Sequence, residues 1–231
     1  MEEGSAGGPP RVEITRYQSL PLPVKIFCLV LWVIGIVLSI FYVFAWQIGD
    51  WILQDVTFYY LMYACFSTTV FLTMSARKKD KNRLPWYDVV LAAFVFVTMV
   101  YFALHTWEIG AIGWVPAPHT LALVLACVIT PITIEGGRRM AGWAIVILIL
   151  IMGFYPLVAP YMPGILFGPG MPWDILMPSF TYGRGGMLGI PAQIMGSILI
   201  GFLIFAGVLL ASGAGKFFLD LALALMGRFR G

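Results

Sequence analysis

Charged residues are scarce in this chain. Asp, Glu, Lys and Arg make up 11% of its 231 residues, whereas hydrophobic residues make up 61%. A soluble globular domain carries about 25% charged residues, and a nucleic-acid-binding surface needs clustered Lys and Arg. The composition therefore argues against a soluble domain and against a nucleic-acid partner. It indicates a protein that sits among membrane lipids.

Residues that hold metals or form disulfides are also few. The three cysteines lie inside apolar runs without a short shared spacing, which is typical of small buried hydrophobes; they are Cys28, Cys65 and Cys127. The only two histidines, His105 and His119, have Glu108 near them in the sequence, which is a weak metal signal. No Ser-His-Asp, Cys-His or paired-acid pattern stands out, so we expect no enzyme activity, no resident metal and no cofactor.

Long uncharged apolar runs, in contrast, are abundant. Six can be counted, at 26–46, 56–76, 89–107, 120–134, 141–159 and 190–212. Because a membrane-spanning helix needs about 20 apolar residues, the sequence predicts an all-α, polytopic integral membrane protein with about six transmembrane helices. The fourth run is short and must extend through 118–119 or 136–137 to reach across.

The Pro- and Gly-rich segment 160–189 is too apolar for a solvent loop and too broken for a span. We expect it to lie in the outer membrane interface, with a short helix near 173–177. The alternative is a segment that re-enters the bundle, which is allowed only where protein covers it.

Basic residues alternate between the segments that flank these runs. In chain order the segments hold 3, 0, 5, 0, 2, 1 and 3 Lys or Arg residues. Under the positive-inside rule, this alternation places both termini in the cytoplasm and requires an even number of spans. The single base of the long outer segment is Arg184.

Ionisable residues near helix ends are the candidate structural residues. Asp88 begins the third helix, where the helix dipole favours a carboxylate. Glu135 precedes Arg138 and Arg139 by three and four residues, so on a continuing helix the three side chains share a face. They are either a helix-end anchor or a brace between helices, because Gly136 and Gly137 would allow a close approach.

Small residues frame the sixth run. Gly189 and Pro191 lead into it, and we expect Gly213 and Gly215 to break it. Beyond the break, Asp220 lies on an amphipathic stretch that is typical of an interfacial or protein-packed helix. Three glycines inside the run predict close packing against neighbouring helices; they are Gly196, Gly201 and Gly207.

Three stretches resemble a known family. EGGRRMAGW at 135–143, with the hydrophobic helix and Pro/Gly segment after it, is similar to the fused membrane permeases of TRAP transporters, the tripartite ATP-independent periplasmic transporters, of the TAXI type. The similarity continues through MLGIPAQIMGSILIGFLIFAGVLLASGAGKFFLDLALALMGRFRG at 187–231, and PWYD at 85–88 resembles the start of the family's third helix. The first eighty residues resemble the family only in helix number and orientation.

The resemblance implies a domain division. Residues 1–25 would be a cytoplasmic N-terminal segment, 26–137 a small, Q-like scaffold of four helices, and 138–231 the start of the large, M-like transport portion. In the family, that portion continues into further helices. The substrate-binding and sodium-binding residues are therefore expected downstream of this chain.

The resemblance also implies a function. Such a permease sits in the bacterial cytoplasmic membrane and takes up an organic acid that a periplasmic solute-binding protein delivers. Uptake is driven by an ion gradient, with sodium the expected coupling ion. The alternatives are a self-standing six-helix accessory subunit or small transporter of another family and, less favoured, a membrane-embedded enzyme.

Positive charge at 138 and 139 is expected to set the topology and to fix the fourth helix. Replacing both residues, as Arg138→Glu and Arg139→Glu, is therefore expected to mis-orient or destabilise the protein. A reporter-fusion assay of topology and membrane level measures this effect. Normal insertion at normal levels would contradict the prediction.

Overall fold

The computed structural model describes residues 16–48, 51–76 and 83–226. The α-helices in chain order are α1 (Leu22–Val43), α2 (Asp55–Thr73), α3 (Trp86–Leu104), α4 (Thr120–Ala141), α5 (Trp143–Val158), α6 (Trp173–Tyr182), α7 (Ile190–Ile194), α8 (Ile200–Ala211) and α9 (Ala214–Met226). Several bases used in the charge count lie outside the described residues; they are Arg11, the four between 77 and 82, Arg228 and Arg230.

The structure is helical apart from one small hairpin. Gln47–Ile48 (β1) pairs antiparallel with Trp51–Ile52 (β2) between α1 and α2. π-Helical turns occupy Glu108–Gly113 and Met195–Leu199. The second of these joins α7 to α8 without a break, so one helical run extends from 190 to 211 and corresponds to the sixth apolar run.

Long apolar helices confirm the membrane-protein character. In the part of the chain that the structure describes, five helices are long and apolar enough to cross a membrane: α1, α2, α3, α4, and α5 with the short turn that follows it. A sixth span results if α8 and α9, which meet at a bend of 74°, are counted as one. Five to six possible spans agree with the number of apolar runs.

The fourth helix extends at its C-terminal end. α4 runs for 22 residues from Thr120 to Ala141, passes through Pro131, and takes in both glycines of the EGGRR stretch. It ends where Gly142 adopts a φ of 81°, a left-handed conformation that glycine adopts readily. The expected division between residues 137 and 138 therefore falls inside one continuous helix.

The helix α2 forms the centre of the bundle. It packs against α1, α3 and α4, and 61% of its most apolar stretch of residues is buried inside the structure. Phe58 and Tyr60 on α2 and Met99 on α3 are fully buried. Two buried threonines of α2 donate to carbonyls of their own helix: Thr69 Oγ1 to the Cys65 carbonyl at 2.7 Å, and Thr73 Oγ1 to the Thr69 carbonyl at 2.8 Å.

The second half of the segment 160–189 packs inside the helix bundle. The predicted short helix is present as α6, which runs further than expected, to Tyr182. α6 lies against α4, and Leu176, Met177 and Thr181 are buried. The first half is exposed, as at Tyr161 and Ile165. The second half therefore has the protein cover that the re-entrant alternative requires, and we refer to it as the re-entrant segment.

Three tyrosine hydroxyls hold this re-entrant segment in place. Tyr60 Oη donates to the Thr181 carbonyl at 3.0 Å, Tyr63 Oη to the Met187 carbonyl at 2.7 Å, and Tyr182 Oη to the Ala122 carbonyl at 3.0 Å. The Thr130 and Thr181 hydroxyls also meet at 3.3 Å. Irregular backbone away from water needs such partners.

The glycines of the last helices behave differently from one another. Gly213, with a φ of 75°, forms the break between α8 and α9. Gly215 lies in the first turn of α9, so its expected role in the break is wrong. An added Cβ would contact rings of α2 at Gly196 but would meet nothing within 4 Å at Gly201 or Gly207. Of these three glycines, only Gly196 packs closely against a neighbouring helix.

The amphipathic stretch forms α9, and its apolar side chains Phe217 and Leu221 are exposed. The side chain of Leu225, which continues this face in the sequence, lies outside the described residues.

A substitution test follows from the contact at Gly196. An added Cβ there would lie 2.7 Å from Phe58 Cε1 and 2.9 Å from Tyr59 Cε1, and both rings are buried. Gly196→Ala is therefore expected to lower stability by about 1–3 kcal/mol through overpacking.

Gly201→Ala is the matched control and should be neutral or slightly stabilising, because alanine is the better helix former. Thermal melting of the detergent-solubilised protein measures both, and equal melting temperatures for the two variants would contradict the prediction.

Candidate functional site

Five charged side chains gather at one end of the bundle and form what we call the arginine–carboxylate cluster: Arg16, Asp88, Glu135, Arg138 and Arg139. Arg16 precedes α1, Asp88 lies in the first turn of α3, and the other three occupy the last turns of α4. This end is the one that the charge alternation predicts to face the cytoplasm.

Asp88 lies at the buried centre of the cluster. Arg16 Nη1 donates to Asp88 Oδ2 at 2.6 Å, and Arg139 Nη1 donates to Asp88 Oδ1 at 2.8 Å. The side chains of Asp88, Arg16 and Arg139 are 0%, 1% and 2% exposed. Buried charges are tolerated when they are paired and hydrogen-bonded, and each oxygen of this carboxylate has a guanidinium partner.

Glu135 joins the two arginines of its own helix. Arg138 donates to both Glu135 oxygens, from Nε at 2.6 Å and from Nη2 at 2.8 Å. Arg139 Nε donates to Glu135 Oε1 at 3.0 Å. The two-pronged contact matches the planar fork of a guanidinium, and the partners have the i+3 and i+4 spacing seen in the sequence. Glu135 is 31% exposed, so this end of the cluster opens to the surroundings.

The arginines also cover the C-terminal end of α2. Arg139 Nη1 donates to the Met74 carbonyl and Arg138 Nη2 to the Ala76 carbonyl, each at 3.2 Å. The carbonyls at the end of a helix have no partner within it. The Arg139 guanidinium also lies 4.9 Å from the Phe71 ring centre, a cation–π distance.

The cluster therefore has the geometry of a brace between helices. It links the segment before α1, the end of α2, the start of α3 and the end of α4. The sequence pattern predicted only a helix-dipole role for Asp88, because its two partners are 72 and 51 residues away. The sequence did contain a signal for this pairing. An acid that borders an apolar run needs a cation, and the predicted inner segments carry most of the bases.

The other residues chosen from the sequence lie elsewhere. Gly189 and Pro191 begin α7, where proline is tolerated because the first turn needs no N–H donor. Gly213, Gly215 and Asp220 lie around the α8–α9 bend. Within the described part of the chain, none of these five residues makes a hydrogen bond or ion pair with the cluster, so they are not one site.

An inner cavity of about 560 Å³ lies beside the cluster. It is lined by α2, α4, α5 and the loop 183–189, including Phe71, Gly136, Gly153, Phe180 and Gly186. Its walls are mainly apolar, with hydroxyls from Tyr63, Ser67, Thr130 and Thr133. Phe71 belongs both to this cavity and to the ring contact with Arg139. The cavity offers hydrogen bonds and apolar contact, and its described lining carries no ionisable acid, histidine or cysteine.

The histidines lie around an aromatic ring. Trp114 is 97% buried, at 3% exposure, and its ring centre lies 4.6 Å from that of His119 and 6.1 Å from that of His105. The Trp114 ring therefore packs in the core. Among the described residues, no group of three or more His, Cys, Asp or Glu side chains is placed to hold a metal ion.

A matched pair of aspartates tests the role of Asp88. Asp88→Asn leaves the buried Arg16 and Arg139 without their shared anion and is expected to cost about 3–5 kcal/mol of stability. Asp174 also lies in the first turn of a helix but is exposed, so Asp174→Asn should change stability by at most about 0.5 kcal/mol.

Denaturation of both variants in the same detergent gives the comparison. A helix-dipole role alone predicts small, similar losses of about 0.3–1 kcal/mol for both. That result would contradict the central role of the Asp88 ion pairs.

Comparison of the chain with protein-family models, with curated proteins and with solved structures finds no match.

Proposed function

We propose that this chain is a membrane permease component of a secondary transporter. The observation that carries the proposal is the re-entrant segment formed by α6, the loop 183–189 and the start of α7. Thr181, at the end of α6, meets Thr130 near the middle of α4, and Met187 meets Tyr63 near the middle of α2. Interrupted helices that end inside a bundle are the elements from which secondary transporters build their binding sites.

The position of the inner cavity supports the same proposal. It lies directly against this interruption, between the re-entrant loop and the helices α2, α4 and α5. Irregular backbone at membrane depth is found where protein buries it or where it lines a cavity. Here Tyr63 Oη holds the loop through the Met187 carbonyl, and both residues line the cavity.

The arginine–carboxylate cluster supports a scaffold role for the first four helices. A transporter moves one part of its structure against another that stays fixed. Ion pairs join α3 and α4 to the segment before α1, and arginine hydrogen bonds reach the carbonyls that follow α2. Together they would hold these elements as such a fixed part.

The finer proposal is a TRAP permease of the bacterial cytoplasmic membrane. It would take up an organic acid that a periplasmic solute-binding protein delivers, with sodium as the coupling ion. Its support is the similarity of 135–143 and 187–231 to the family's sequence pattern. The cluster gives the EGGRR part of that pattern a physical role, because its three charged residues bind one another and the ends of two further helices.

An uptake assay in the source organism tests the proposal. Cells that lack the gene are expected to lose uptake of at least one labelled organic acid from a panel of carboxylates, and the intact gene should restore it. A sodium ionophore should abolish the restored uptake. Unchanged uptake of the whole panel in the deletion strain would overturn the proposed function.

A tyrosine pair links that uptake to the re-entrant segment. Tyr63→Phe removes the hydrogen bond to the Met187 carbonyl and is expected to reduce the initial uptake rate several-fold at an unchanged membrane level. Tyr161 is 86% exposed, so Tyr161→Phe is the matched control and should transport normally. Equal rates in the two variants would remove the support that the re-entrant segment gives to the proposal.

A further inference from the structure

Arg184 is a base on the side of the protein that otherwise carries none. The three predicted outer segments of the chain hold one Lys or Arg in total, whereas the positive-inside rule concentrates bases on the cytoplasmic side. Neither the arginine–carboxylate cluster nor the inner cavity includes this residue. Its position therefore needs its own explanation.

The loop that carries Arg184 has a closely fixed backbone. A Cβ added at Gly183 would clash with the Ser179 carbonyl, and one added at Gly186 would clash with the Phe180 carbonyl. The Met187 N–H donates to that same Phe180 carbonyl at 2.8 Å. These contacts require glycine on either side of Arg184 and hold the backbone from which its side chain extends.

Arg184 lines an outer cavity of about 530 Å³. Asp55 and Tyr59 of α2, Tyr182 of α6 and Gln193 of α7 also line it. Burial raises the pKa of the Tyr182 phenol above its ordinary value, so this side chain is neutral. The charged lining of the cavity therefore consists of one cation and one anion.

The two charges do not bind each other. Within the described residues, no ion pair joins Arg184 to Asp55 within 4.0 Å, and Asp55 instead accepts a hydrogen bond from Tyr42 Oη at 3.1 Å. A cavity with separate positive and negative groups complements a ligand that carries both charges. A guanidinium is suited to a carboxylate, and an aspartate is suited to an ammonium group.

The uncharged lining of the cavity determines which side chain the ligand can carry. Val56, Ile109, Val115 and Leu188 supply apolar walls, and small-molecule sites typically combine such walls with a few placed polar groups. We propose that the outer cavity binds a small zwitterion with an apolar side chain, namely an apolar α-amino acid. The carboxylate faces Arg184 and the ammonium faces Asp55. As a transport ligand it would rest on the proposed function, whereas binding itself does not.

Equilibrium binding to the purified full chain in lipid nanodiscs tests this site. The probes are labelled L-leucine, 4-methylpentanoate, which lacks the ammonium group, and 3-methylbutylamine, which lacks the carboxylate. A hydrogen bond to a charged group contributes about 1.5–3 kcal/mol, so leucine should bind about 10-fold or more tightly than either analogue. Equal affinities, or no leucine binding at millimolar concentration, would overturn the proposal.

Two variants assign the charges. Arg184→Gln should weaken leucine binding about 10-fold or more while leaving 3-methylbutylamine binding unchanged, because only the carboxylate loses its partner. Asp55→Asn should weaken leucine binding similarly while leaving 4-methylpentanoate binding unchanged. Lys216→Gln, at an exposed base of α9, is the control and should bind leucine normally.

The pattern across probes separates direct contact from misfolding. A variant that loses structure loses binding of all three probes and shows a lower melting temperature, whereas replacing a contact residue weakens binding only of the probes that carry the group it contacts. If Arg184→Gln and Asp55→Asn both melt normally and both bind leucine normally, the assignment is wrong. Leucine binding without any uptake in cells would retain this site and remove the transport proposal; uptake without leucine binding would do the reverse.

Discussion

The pairing of the Asp88 carboxylate with Arg16 and Arg139 is the interaction on which the inner end of this bundle depends. All three side chains are almost completely buried, so bulk water cannot solvate their charges. Neither the acid nor the two bases could remain charged there alone. The start of α3, the end of α4 and the segment before α1 must therefore meet at one point.

The same end of α4 also supports the rest of the cluster. Because Arg138 and Arg139 follow Glu135 by three and four residues, one carboxylate orients both guanidinium groups. Their guanidinium N–H groups also reach the carbonyls of Met74 and Ala76, which follow α2. One continuous helix thus carries the ion pairs at its C-terminal end and the contacts with α6 along its length. A shift of α4 would disturb both.

The re-entrant segment shows how irregular backbone is kept inside the bundle. Carbonyl groups at Thr181 and Met187 would be without partners in a membrane interior, and tyrosine hydroxyls of α2 satisfy both. The glycines of the following loop allow the chain to turn in a space that a side chain would fill. A cavity is left on each side of this segment, one mainly apolar and one with two opposite charges.

The sequence by itself determined the helical membrane character, because apolar runs of about 20 residues and scarce charge follow from the lipid solvent. It also determined the Glu135 face, because i+3 and i+4 neighbours meet on any helix. Only the tertiary structure decided that Arg16 reaches Asp88, that Trp114 is buried, that α6 lies within the bundle and that Gly196 alone among three glycines packs closely. These contacts join residues far apart in the chain, and no local periodicity encodes which distant surfaces meet.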